Sequence, residues 1–302
     1  MVKALNLALL EEMERDPDVL AIGEDVGVDG GVFRVTEDLH RRFGSRRVID
    51  TPLAEAAIIG SSVGMAIYGL KPVCEIQFSG FAFQCFHQIE NHAARYRQRT
   101  QGRFHCQMVV RMPYGGGVRA LEHHSESEEQ FYAHIPGIKM IIPSGPRTAR
   151  ALLTAAIRDP DPVIFFEHKG LYHAAKEEVP DESETMPIGR AQIAQEGRGL
   201  TLIAYGAMLR VALEAAETLQ LGGQDGTRRR RARSADELWP RGRDRRQHHG
   251  RRLPLAGGAH PSRGRLRRAV RGLRAREGLR ARRCPRARRR ARDPGLLISR
   301  TL

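Results

Sequence analysis

The chain has 302 residues, enough for one large or two modest domains with an ample core. It contains no run approaching the roughly 18 apolar residues that spanning a bilayer takes. Its four cysteines, Cys74, Cys85, Cys106 and Cys284, form no Cys-x-x-Cys pair, which argues against a disulfide framework and for reduced thiols in the cytoplasm. The formal net charge of +15 is unevenly held. Residues 1–227 carry 23 basic and 30 acidic side chains, whereas residues 228–302 carry 27 arginines, no lysine and five acids.

The opening MVKALNLALLEEMERD brings Leu5, Leu9 and Met13 onto one face, the pattern of an amphipathic helix and not of a signal peptide. VLAIGED then reads as a short apolar strand entering a glycine-rich loop. A helix is expected over Thr36–Phe43, and RVID is the next strand. A helix beginning at Glu55 leads to the strand PVCEIQF, and a helix over about Phe83–Tyr96 leads to the strand QMVVRM. After a long loop, Ser125 with Glu128 three residues on predicts a capping box that opens a short helix. The strand IKMIIP, the helix RTARALLTAAIRD and the strand PVIFFEH complete the series near residue 168. Such alternation predicts a doubly wound parallel sheet with crossover helices. Ligands of such sheets sit beyond the carboxyl ends of the strands, and Glu55, Phe81 and the pair His123–His124 all follow predicted strands. An acidic, proline-punctuated link covers about residues 169–198. GLTLIAYGAMLRVALEAAETLQ then reads as strand, turn and amphipathic helix, and the pattern stops near Gln220.

The segment Asp50-Thr-Pro-Leu-Ala-Glu55, running into AAIIGSSVGMAIYGL, puts a single carboxylate at the front of an otherwise apolar helix. Desolvation disfavours its charged form unless something hydrogen-bonds to it. The plain alternative is a first-turn Glu facing the helix dipole, and spacing alone does not separate the two.

Together, GEDVGVDGGVFRVTEDL, the Glu55 segment, PVCEIQFSGF, AFQCFHQIENHAARYR and YGGGVRALEHHSESEEQFYAHIPGIKMIIP resemble the beta subunit of the thiamin-diphosphate-dependent 2-oxo acid dehydrogenases. That subunit belongs to the decarboxylating first component of the branched-chain and pyruvate dehydrogenase complexes. The likeness runs from about Lys3 to about Leu219. It implies a transketolase-like pyrimidine-binding domain over residues 1–185, then a link and the start of a transketolase C-terminal α/β domain over 186–221, with an Arg-rich tail over 222–302.

By the same resemblance, Glu55 is the acid that bonds the aminopyrimidine ring of thiamin diphosphate and selects its imino tautomer. Phe81 stacks on that ring, although spacing does not distinguish it from Phe78, Phe83 and Phe86, which read as core residues. Gln84 supports the ring from beside it, and Glu24, in GEDVG, belongs to the same cofactor set. His124 faces the reacting end, where an imidazole can bond the substrate carboxylate or exchange a proton; its neighbour His123 orients the loop or touches substrate. Gly115-Gly116-Gly117 would be the hinge of that loop. A structural potassium ion is implied at Met108, Ala156, Ile157, Asp159 and Asp161, where hard oxygen donors suit it; the plain alternative is a helix-stop turn made by Asp-Pro-Asp-Pro.

No GDG followed by NN after some 25–30 residues appears, so the magnesium and diphosphate half of the site is expected from an alpha subunit in an α2β2 assembly. The other expected partners are a lipoyl-bearing acyltransferase and a small 2-oxo acid, of the 2-oxoisovalerate type or pyruvate. The tail allows two readings. It is either a genuine polyanion-binding arm, which would bind nucleic acid without sequence preference, or a G+C-rich C-terminal domain translated out of frame. The absence of lysine and of apolar periodicity favours the second, with a disordered product. An inactive frameshifted product is therefore an alternative to the enzyme.

Overall fold

The computed structural model describes residues 1–224, apart from 118, 175, 181–183 and 198–199. The Arg-rich tail lies outside the described residues. The first helix, α1 (Val2–Arg15), buries Leu5, Leu9 and Met13 at the expected spacing. Glu12 is buried on the same face. Burial alone would raise its carboxyl, but bonds from Arg158 and Arg15 outweigh that and hold it below the usual range.

Six parallel strands follow: β1 (Val19–Gly23), β2 (Val48–Asp50), β3 (Lys71–Glu75), β4 (Val109–Tyr114), β5 (Lys139–Ile141) and β6 (Val163–His168), in the order β2-β1-β3-β4-β6-β5. Side chains alternate across the sheet because the strand period is two. Val19, Ala21, Val109, Val163 and Phe165 join α1 in one apolar cluster. Leu20, Ile22, Val110, Ile164 and Phe166 join the residues of α3 (Glu55–Tyr68) in a second cluster on the other face. Burial on both faces explains why the strands read as continuous apolar runs. The chain leaves β1 for β2 on one side and returns to β3 on the other, which opens a crevice at their carboxyl ends.

Helices α2 (Leu39–Phe43), α3 (Glu55–Tyr68), α4 (Tyr96–Arg99), α5 (Glu129–Ala133), α6 (Pro146–Arg158), α7 (Lys169–Ala174) and α8 (Met208–Gln224) connect the strands or follow them. Several differ from expectation. The helix expected from Thr36 begins only at Leu39, because the Thr36 amide is drawn back to the Gly30 carbonyl and Asp38 takes a left-handed conformation. The helix expected over Phe83–Tyr96 is a 3-10 turn (Ser79–Cys85), a π turn (Gln88–Ala93) and the short α4. Ser125 does not cap a helix: its hydroxyl donates to the Ala120 carbonyl, and Glu128 stands before α5. Residues 200–205 form no strand, and Leu202 and Ile203 are exposed, because no neighbouring strand is present among the described residues to pair with them. Among those residues no helix is long and apolar enough to cross a membrane.

Candidate active site

Glu55 opens α3, where Ala54 supplies no side-chain cap, so the first-turn carboxylate faces the positive end of the helix. It is half-buried. With Leu53, Ala54, Ala56, Phe81 and Gln84 it lines an open pocket of about 350 Å³. Glu24 follows β1 directly and is 3% exposed. Its Oε1 accepts a hydrogen bond from the Ala54 amide at 3.2 Å, in effect capping α3 from another loop. Its Oε2 is buried with no partner. Burial, and next the charge of Glu55, push the Glu24 carboxyl above its ordinary value.

The aromatic wall of the pocket is built after β3. Phe81 stands edge-on to Phe78 (5.5 Å between centroids) and to His124 (5.3 Å). His124 packs still closer to Phe78, at 4.5 Å. Its Nδ1 is buried without a partner. Gly80 fixes this arrangement, since a Cβ there would lie 2.4 Å from the carbonyl oxygen of His123. The structure thus gathers Glu55, Phe81 and Gln84 around one pocket, with Glu24 behind and His124 against the aromatic wall. The His123 side chain is exposed. Phe83, read as a core residue, is 55% exposed and meets Phe131 at the surface.

The five oxygen-donor positions lie at the opposite, amino-terminal end of the strands. The Met108 carbonyl accepts from the Val163 amide, that of Ala156 from the Asp159 amide, and that of Ile157 from Gln107 Nε2. Lys139 Nζ is 2.7 Å from both carboxylate oxygens of Asp159, and Arg97 is 2.6 Å from Asp161.

Sequence reasoning missed a buried ionic network across three strands. Arg111 of β4 holds Glu167 of β6 through two bonds (2.7 and 2.8 Å) and Glu75 of β3 through one (2.7 Å). Tyr172 donates to Glu167 at 2.6 Å. Burial raises the Glu75 carboxyl despite Arg111. The available signal was a charge at the end of each of three apolar runs, VCE, VVR and FFE. Gly115 and Gly117 also differ from the expected hinge. Both have positive φ, and a Cβ on them would press on His168 Nε2 (2.8 Å) and the Gly170 amide nitrogen (3.0 Å), so glycine serves close packing there.

A carboxylate, a flat apolar wall and a second acid with an unused oxygen fit an aromatic heterocycle carrying a protonatable nitrogen. The family of the transketolase pyrimidine-binding domain matches residues 1–174, and that of the transketolase C-terminal domain matches residues 189–226. The chain is 49% identical over 223 residues to the pyruvate dehydrogenase E1 component subunit beta of Acholeplasma laidlawii, covering 74% of this chain and 68% of that one. It is 49% identical over 222 residues to the 2-oxoisovalerate dehydrogenase subunit beta of Bacillus subtilis, with the same coverage. The chain belongs to the E1 beta subunits of the thiamin-diphosphate-dependent 2-oxo acid dehydrogenases. A solved split-gene transketolase, an inactive beta4 tetramer, shares the fold with this E1 beta chain at a TM-score of 0.59 and 21% identity. The match covers 73% of this chain and 67% of that structure.

Proposed function

We propose that this E1 beta chain completes, with an alpha subunit, a decarboxylase for a branched-chain 2-oxo acid of the 2-oxoisovalerate type, and passes the acyl group to the lipoyl arm of an acyltransferase. The observation that carries the reading is Glu55 on the wall of the open pocket, with Phe81 and Gln84 beside it. Bound thiamin diphosphate would supply the nucleophilic carbon and the electron sink for loss of carbon dioxide. Glu55 would share a proton with a ring nitrogen of the pyrimidine, and exclusion of water would strengthen that bond. Glu24, tending toward its protonated form, would keep the two acids from carrying full negative charge side by side. Phe81 would hold the ring by its face. Nε2 of His124 would bond the substrate carboxylate or move a proton as the acyl group leaves, and His123 would orient the loop.

The alpha subunit would hold magnesium and the diphosphate, in an α2β2 assembly placed in the cytoplasm. Potassium is proposed at Met108, Ala156, Ile157, Asp159 and Asp161, where each of the three carbonyls keeps a second lone pair. Lys139 already neutralises Asp159, so the carbonyls would contribute most. The boundaries 1–185, 186–221 and 222–302 are kept as the domain division. Branched-chain substrate is favoured by the wording of EIQFSGF and ALEHHSES, which resembles the branched-chain and bacterial forms.

One experiment tests this reading. The chain is reconstituted with an alpha subunit and assayed in potassium and in sodium with 2-oxoisovalerate, 2-oxo-4-methylpentanoate and pyruvate. Glu55→Gln and Glu55→Ala are expected to lower carbon dioxide release by at least about 100-fold, the scale of losing a preorganised catalytic contact. Undiminished release would overturn the assignment of Glu55. Preference for pyruvate would overturn the substrate, and equal rates and Tm in the two salts would overturn the potassium site.

A further inference from the structure

Behind the imidazole of His124 stands a buried charge that the proposed chemistry does not use. Lys169, the first residue of α7, is 4% exposed, and its Nζ has no hydrogen-bond acceptor. It lies over the ring of Phe78, 5.3 Å from the centroid, and Phe78 is the ring on which His124 packs most closely. Glu128, just before α5, is also buried; neither oxygen has a donor in good hydrogen-bond geometry, and the Ser79 hydroxyl is the group near enough to act on it. The nearby Ser79 hydroxyl is directed at the Glu126 carbonyl, 3.4 Å away.

An ammonium and a carboxylate shut away without hydrogen bonds weaken a fold more than apolar groups of equal size would. Burial pushes Lys169 down to about 8, and the charge of Glu128 only partly offsets it. Burial likewise pushes the Glu128 carboxyl up, and the Ser79 hydroxyl only partly offsets it. Departures of this kind concentrate where they serve a site. Here the site is one ring away. The glycine run lets the backbone close in around it, since a Cβ on Gly115 or Gly117 would press on His168 or Gly170, the residues on either side of Lys169.

We propose that Lys169 is a positioning residue for His124: its ammonium, resting on Phe78, fixes that ring and so the angle at which the imidazole meets the pocket, with Glu128 as the counter-charge. Attraction between the cation and the ring is strongest where water is excluded. The charged groups acting on Lys169 and its surroundings are Glu128 and His168, with Glu126 and Glu129 acting through them. The inference rests on the functional reading only in taking His124 as the residue that faces substrate.

The full chain with isotope-labelled histidine tests it by NMR, the His124 signal being identified by its loss in His124→Gln. Packing against two aromatic rings displaces that signal. In the native chain it should step toward the unstacked position as pH rises through about 8 and Lys169 loses its charge. In Lys169→Arg, which stays charged, no step should occur near that pH. In Lys169→Met the signal should sit at the unstacked position throughout, while Tm does not fall, because a buried unpaired charge has been removed. Identical His124 signals in the native chain and Lys169→Met would overturn the proposal. So would the native step persisting in Lys169→Arg, which decides the matter if the Met variant does not fold. No cofactor or partner is needed, so a failure of the Glu55 experiment and a failure here are read separately.

Discussion

Glu24 and Glu55 are brought together by one backbone bond, from the Ala54 amide to Glu24 Oε1, and that bond gives them different surroundings. Glu55 opens on the pocket, while Glu24 is shut in with one oxygen unpaired. The folded chain therefore holds the Glu24 proton to higher pH than the unfolded chain does. Its contribution to stability is fully present below the ordinary carboxyl value and is lost as pH rises through the raised one. Glu24→Gln has no proton to lose. Its Tm is expected to exceed the native value at neutral pH, and the difference should vanish toward about pH 4, below the reference value for Glu. Thermal melts of the chain alone across that range check this; a Tm gap that widens on acidification would show that Glu24 is ionised in the fold. Glu55 and Phe81 were legible in the sequence because each stands in a long, ordered motif just after a predicted strand. The partners Arg111, Glu75 and Glu167 were not, since they meet only through strand register, with Glu75 opposite Arg111, and register is invisible in a single apolar run.

At the scale of elements, the six strands of the sheet and the helices α1, α3 and α6 were readable from the sequence, whereas the helix between β3 and β4 and the strand expected near residues 200–205 were not. The apolar spacing between β3 and β4 suits an α-helix, but close packing decided the form. Gly80 lies against the His123 carbonyl, and the Ala94 amide reaches back to Ile89, which widens the turn. Capping shows the same limit. Ser125 had the capping sequence and no helix to cap. Thr148, unremarked in the sequence, accepts from the amides of Ser144 and Gly145 at the start of α6. Gly80→Ala puts a methyl group where backbone stands, and forcing extra volume into a packed site costs about 1–3 kcal/mol. The variant should melt at lower temperature than the native chain. It should also lose more activity than its remaining folded fraction accounts for, because the His123–His124 turn must move. Activity that follows the folded fraction alone would show that this turn does not set the site.

For the whole molecule, the open question is why an ordered sheet continues into residues that leave apolar side chains uncovered. Ile203 is 81% exposed, Met208 56% and Val211 53%, and burying such side chains is worth about 1.5–3 kcal/mol each. The match to the transketolase C-terminal domain ends at residue 226, and the arginine-dense composition begins at residue 228. A shift of reading frame inside that domain would leave its apolar side chains uncovered in this way. Redetermining the DNA around codons 218–228 is expected to reveal a one- or two-base discrepancy. Translating the corrected frame should then restore strand-like and helix-like apolar spacing beyond Gln220. If the DNA reads through unchanged, the arginines are genuine, and salt-sensitive binding of the chain to any polyanion becomes the expected behaviour.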